Sequence, residues 1–178
     1  MPARAFIHLH RSSRKPIPPD IPWHDRRVHL QQNLQRLPLL PPPVAPPRPL
    51  PFVHGYSRSF TFWFRATELD EHGFVVDFSS LKQLEQQLTE QFDHTFLVNA
   101  DDPLLEQWQA LHQQGALDLR VMSNVGMEAS AQLVWEWANQ LLQTRDAGRS
   151  CCWKVEAREN EKNAACFEQT PDWFRDTP

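Results

Sequence analysis

No cysteine precedes Cys151, and the three in the chain, Cys151, Cys152 and Cys166, are an odd number. Adjacent cysteines rarely bridge each other, so a secreted disulfide framework is excluded and a reducing, cytoplasmic compartment is expected. Long apolar runs are also missing. No stretch reaches the roughly 18 residues of a membrane span, and the first twenty residues lack an apolar signal core. Pro16, Pro18 and Pro19 would break the amphipathic helix of a transit peptide. Proline itself is scarce after residue 51, where only Pro103, Pro171 and Pro178 occur, whereas 13 of the 16 prolines lie in residues 1–51.

What is present divides at the same place. Residues 1–55 carry eight Lys or Arg against Asp20 and Asp25, about +6, while the remainder sums to about −10. A basic arm invites nucleic acid, but only Phe6, Trp23 and Phe52 interleave it with aromatics, and no nucleic-acid partner is expected. The run from Pro41 to Pro49 favours polyproline II, because proline fixes φ and restricts its predecessor. Residues 1–51 therefore read as a disordered arm, apart from a short helix around 28–37. At 178 residues the chain fits one domain, here residues 52–170, followed by a tail at 171–178.

The texture changes at Phe52. Phe60, Phe62 and Phe64 alternate with polar or mixed neighbours, the period of a strand with one apolar face. After a polar turn at 68–73, Phe74 to Phe78 reads as a second strand, closing an antiparallel hairpin. Ser80 and Gln83 have the spacing of a capping box, and Leu81, Leu84, Leu88 and Phe92 follow at helical intervals, predicting a helix over 80–92. Asp102 and Pro103 open a second helix over 103–112 that ends near Gly115. Leu117, Leu119 and Val121 alternate as a short strand. Leu133, Trp137 and Leu141 mark a long helix over 128–142, and Trp153, Val155 and Ala157 a last strand ending at Glu159. The pattern is α+β, with helices on one face of an antiparallel sheet.

Several short motifs stand in a fixed order. His54-Gly55-Tyr56-Ser57 is followed nineteen residues after His54 by Gly73-Phe74-Val75-Val76-Asp77-Phe78, with Leu81-Lys82 behind it. Asp93-His94-Thr95-Phe96-Leu97-Val98-Asn99 and Asn124-Val125-Gly126-Met127-Glu128 come next, with Ala131 and Trp135 at set distances from Glu128. Val155 to Glu159 and then Phe167 close the series. In register over roughly residues 52–167, these motifs resemble the zinc-dependent 6-pyruvoyl- and 6-carboxy-tetrahydropterin synthases. The first looks like that family's His-Gly-His-Ser/Asn, the second its Gly-Met-Val-Val-Asp-Phe, the third its Asp-His-x-x-Leu-Asn with one extra residue, and the fourth its Asn-Pro-Thr-x-Glu.

The resemblance implies a tunnelling fold, in which protomers join their sheets into a barrel, and hence a homo-oligomer. It also implies a pterin substrate, dihydroneopterin triphosphate. One branch of the family eliminates triphosphate to give 6-pyruvoyltetrahydropterin; the other makes 6-carboxytetrahydropterin, a precursor of deazapurines such as queuosine. Such lyase chemistry needs a Lewis acid on the side-chain hydroxyls, a base for carbon-bound protons and an anchor for the ring. By resemblance His54 is a zinc ligand, Asp93 and His94 are the catalytic proton-transfer pair, and Glu159 grips the pterin's guanidine-like N–H groups as a catalytic and substrate-binding residue. Glu128 is a second substrate-binding residue. Without the resemblance, Asp93 and His94 are a solvated pair after a helix, Glu159 a strand-end charge, and Glu128 an acid favoured by a helix dipole. Cys151 and Cys152 point to opposite faces of a strand and cannot share an ion.

The zinc site departs from the family pattern. Tyr56 stands where the second histidine belongs, and a phenol with a pKa near 10 is a poor substitute for imidazole. The third histidine and the family's cysteine should lie upstream, where Leu39 and Leu50 stand within the proline-rich run. His8, His10, His24 and His29 are the other candidate ligands. Two readings follow: a zinc-dependent lyase, or an inactive relative that keeps only the oligomeric scaffold. A third is that residues 1–51 come from an aberrant reading frame, since codons for Pro49-Leu50-Pro51 shifted in frame can encode Ser-His-Cys.

Overall fold

The computed structural model describes residues 57–174 in full and residues 7–8, 24–32 and 175 by backbone alone. The proline run, His54, Tyr56 and the triplet at Pro49 to Pro51 lie outside the described residues. In chain order the elements are β1 (Ile7–His8), β2 (His24–Gln32), β3 (Arg58–Ala66), a 3-10 turn (Phe78–Leu81), α1 (Lys82–Phe92), β4 (Phe96–Asn99), α2 (Leu105–Gln113), β5 (Leu119–Met122), α3 (Met127–Arg145), β6 (Ser150–Arg158), β7 (Ala164–Glu168) and α4 (Asp172–Arg175). The large sheet has the order β1-β2-β3-β6-β7, antiparallel throughout, and β4 and β5 form a separate parallel pair with α2 as its crossover.

The phenylalanine alternation decides the core. Phe60, Phe62 and Phe64 are fully buried on one face of β3, joined by Val155 and Ala157 of β6. Leu84, Leu88 and Phe92 of α1 and Ala131, Val134, Trp135, Ala138 and Leu142 of α3 close over them. Helices thus cover one face of the sheet. Burying each such Phe, Leu or Val side chain contributes about 1.5–3 kcal/mol, which makes this face the main source of stability. In α3 the most deeply buried line is 131, 134, 138 and 142, while Leu133 and Trp137 of the expected stripe are only partly buried.

The hairpin expected over 74–78 is not formed. Both edges of β3 are taken, by β2 on one side and β6 on the other, so Phe74 to Phe78 has no free edge to pair with. Asp70 instead gathers the turn, its carboxylate accepting from the N–H of Phe74 at 2.7 Å and of His72 at 3.0 Å. Arg149 donates to the carbonyls of Glu68 (2.6 Å) and Val75 (3.0 Å), and Val75 and Val76 are buried in the core. The cap differs as well. Asp77, not Ser80, accepts the orphan N–H of Ser79 at 3.0 Å, and Ser80 Oγ donates back to the Asp77 carbonyl.

Four strands go beyond the sequence expectation: β1, β4 and β7 were not expected, and residues 28–32, read as the start of a short helix, belong to β2. Its register sets Val28 opposite Phe62 and Leu30 opposite Phe60, so β2 extends the pairing of β3. The second helix forms at 105–113, with Asp102 accepting from the N–H of Leu104 at 2.8 Å and Gly115 at φ 75° ending the turn beyond it. No helix among the described residues is long and apolar enough to cross a membrane.

Candidate active site

α1 ends at Phe92, where the N–H of Asp93 closes the last turn on the Thr89 carbonyl at 2.9 Å. His94 follows in the left-handed region, at φ 57°. Its Nε2 lies 3.7 Å from Asp93 Oδ1, ion-pair distance rather than a hydrogen bond. The imidazole is 55% exposed and the carboxylate 16%, so solvent reaches the pair from one side.

The turn into α3 is held tightly. Asn99 at the end of β4 accepts from the N–H of Val125 at 2.8 Å, and Asn124 Oδ1 accepts from the N–H of Gly126 at 2.7 Å. Glu128 lies exposed in the first turn of α3. Glu159 follows directly after β6, half-buried, its N–H donating to the Asn163 carbonyl at 3.0 Å and its Oε2 accepting from Asn163 Nδ2 at 3.4 Å.

Arg58, the first residue of β3, stands among these segments. It is 1% exposed and donates to Ser130 Oγ in α3 and to the Val125 carbonyl at 2.6 Å. Its guanidinium carbon lies 5.5 Å from the centre of the Phe92 ring, next to Asp93. The register Ser59 to Arg158 puts Glu159 just beyond the paired end of β6, at the same end of the sheet as Arg58. Segments bearing Asp93, His94, Glu128 and Glu159 thus come to one end of β3. Of these four side chains, only Asp93 and His94 pair with each other. None lines the cavity of about 310 Å³ that opens between α1, β5 and α3, bounded by Gln91, Ser123, Asn124 and Trp137 among others.

The model of the family described as 6-pyruvoyl tetrahydropterin synthase matches residues 42–170. The chain belongs to this family. Its solved structural relatives share the fold at low identity. An uncharacterized protein from Wolinella succinogenes aligns with 18% identity and a TM-score of 0.62, over 83% of this chain and 99% of its own. The 6-pyruvoyltetrahydropterin synthases of Plasmodium vivax (13% identity, TM-score 0.54) and Plasmodium falciparum (12%, 0.55) each align over 84% of this chain and 99% of theirs. No curated protein matches. As a member of the tetrahydropterin synthase family the chain has the tunnelling fold, an antiparallel sheet with helices on one face.

Among the described residues no group of three or more His, Cys, Asp and Glu side chains is placed to hold the zinc that the resemblance implies. His94 turns to Asp93, His72 to Glu71 at 3.5 Å, and Nδ1 of His112 to the N–H of Leu119 at 3.2 Å. His54 is outside the described residues. The backbone register of β1 and β2 sets His8 opposite His29.

Arg58 is the residue that motif reading missed. Its signal was parity: it shares the even positions of Phe60, Phe62 and Phe64, so a charge was written into the apolar face of the strand.

Proposed function

We propose that the chain is a tetrahydropterin-synthase-type lyase acting on dihydroneopterin triphosphate, with the 6-carboxytetrahydropterin branch and queuosine-type deazapurine synthesis as its pathway, in a cytoplasmic homo-oligomer. Family membership supports the class of reaction. The observation that carries the site is the backbone of His94. A non-glycine residue in the left-handed region costs roughly 1–3 kcal/mol and persists where its surroundings over-determine it, so an imidazole kept there next to a carboxylate points to a role for the imidazole. In this reading Asp93 orients His94, which takes and returns the proton on the substrate's side-chain carbons. Glu159 accepts the ring N–H groups, and Glu128 supports the bound pterin.

A second reading, an inactive member that keeps the scaffold, is favoured by Tyr56 at the place of a ligand histidine. With residues 1–51 as a genuine arm, the purified chain is expected to hold well under one zinc per chain.

The test is product analysis of the full chain incubated with dihydroneopterin triphosphate, beside His94→Gly. Glycine keeps the left-handed backbone and removes only the imidazole. Formation of 6-carboxytetrahydropterin, with turnover lowered about 10²- to 10⁴-fold in the variant, supports the reading. No product from the wild-type chain overturns it in favour of the scaffold, and unchanged turnover in the variant removes His94 from the mechanism.

A further inference from the structure

We propose that Arg58 is the positioning residue of this site, one guanidinium that fixes both the segment carrying Asp93 and His94 and the turn carrying Glu128. This proposal rests on the lyase reading and deepens it.

The contacts form a closed circuit. Arg58 packs over Phe92, which is fully buried against Phe60 and directly precedes Asp93. Arg58 also donates to the Val125 carbonyl, while the N–H of the same residue donates to Asn99. Residues 92–99 are therefore held at one end by the Arg58 guanidinium and at the other by the Val125 peptide that Arg58 itself holds. His94 lies within that span. The second arm of the guanidinium reaches Ser130 Oγ, which donates in turn to the Gly126 carbonyl at 2.9 Å. Glu128 lies between Val125 and Ser130 and is framed by these two bonds.

An apolar residue at position 58 would continue the core of Phe60, Phe62 and Phe64 without the desolvation cost of a buried cation. Replacing a buried charge by an apolar residue of similar volume is often neutral or stabilising, so bulk stability is a poor reason for arginine here. A rigid planar fork of donors, spread over three nitrogens, is what a guanidinium supplies, whereas an ammonium offers rotatable donors from a single atom. Arg58 is 1% exposed and cannot meet substrate directly; its effect passes through Phe92 and Val125.

The experiment compares Arg58→Lys and Arg58→Met in the full chain with Arg149→Lys. Arg149 clamps the loop at residues 68–75 at the opposite end of β3 and serves as a purely structural control. Three readouts are taken: the melting transition, the imidazole Hε1 and Cε1 resonances of His94, assigned with His94→Gly, and kcat and KM on dihydroneopterin triphosphate. Both Arg58 variants are expected to shift the His94 resonances and to lower kcat about 10- to 100-fold while KM stays within about threefold, the pattern of misplacement rather than lost binding. Arg149→Lys is expected to lower the melting temperature and leave His94 in place. His94 resonances unmoved by the Arg58 variants overturn the proposal. Should those variants not fold, Ser130→Ala frees one arm of the guanidinium and also removes the hydroxyl's bond to the Gly126 carbonyl, and its shifting or not shifting the His94 resonances decides in the same way. If the wild-type chain makes no product, the lyase reading fails, and the imidazole resonances still decide whether Arg58 holds residues 92–99.

Discussion

The side chain of Asn139 bridges to the backbone of Cys152 at two points: Oδ1 accepts from the Cys152 N–H and Nδ2 donates to the Cys152 carbonyl, both at 2.9 Å. Nδ2 also donates to the Trp135 carbonyl at 3.0 Å. Asn139 is buried in the middle of α3, where the amide is satisfied only by this geometry. Asn139→Ala leaves both backbone groups of Cys152 without these partners inside the core. Each unsatisfied buried group costs about 1–3 kcal/mol, so a loss of about 2–5 kcal/mol is expected from urea denaturation. Asn139→Asp keeps an acceptor but loses the donor and adds a buried charge, and it is expected to be at least as harmful.

The sequence made β3 legible because Phe60, Phe62 and Phe64 carry an unbroken period of two, and α1 because Leu84, Leu88 and Phe92 keep the helical interval. The run Phe74 to Phe78 misled because local pattern cannot say whether a sheet edge is free, and here both neighbours of β3 come from distant segments. β7 was illegible for the opposite reason: as an edge strand it is exposed at alternate positions and partly buried at the others, so Ala164 to Glu168 carries no strong apolar line. At the site, Asp93 and His94 stood out only through their likeness to a family motif. Their placement at one end of β3 depends on long-range contacts of Arg58 that no local spacing encodes.

Asp70 makes the 68–74 turn sensitive to acid. The N–H of Phe74, donated to its carboxylate, holds that carboxyl below its ordinary value of 3.8; burial opposes this, and the His72 N–H adds to the lowering. A depressed carboxyl stabilises the turn above the unfolded value and loses that effect as pH falls through the lower, folded value. The Phe74 and His72 amide resonances are therefore expected to titrate together, with a midpoint under 3.8. Asp70→Asn, which keeps an acceptor and removes the charge, should abolish the titration; its persistence would assign the effect to another group.

Gly126 is sensitive to substitution through proximity rather than through its dihedral angles, since its φ of −60° suits any residue. A Cβ there would lie 2.9 Å from Asn124 Oδ1 and 3.3 Å from Glu128 Oε2. The same Asn124 oxygen accepts the Gly126 N–H, so Gly126→Ala is expected to push it away and to expose a donor at the start of α3. Losing such a cap costs about 0.5–2 kcal/mol. Because both substitutions act on one bond, Gly126→Ala should cost much less in an Asn124→Ala background, and a double-mutant cycle of denaturation midpoints measures the coupling. Additive costs would mean the two residues act separately.

The three thiols are expected to separate by reactivity. Cys166 is exposed on β7, whereas Cys151 and Cys152 are both buried, Cys152 within the core that α3 covers. A disulfide reagent added to the native chain should consume a single thiol, lost in Cys166→Ser, and reach the other two only on unfolding. Burial also pushes the Cys152 thiol well above its ordinary value of 9.0. The folded chain then keeps a proton that the unfolded chain releases, so the contribution is complete below 9.0 and declines as pH rises beyond it. The slope approaches about 1.4 kcal/mol per pH unit for one such group. Urea midpoints between about pH 8 and about pH 11 measure this decline, which Cys152→Ala should make shallower even as it lowers stability at every pH. An unchanged slope in that variant would place the alkaline sensitivity elsewhere in the chain.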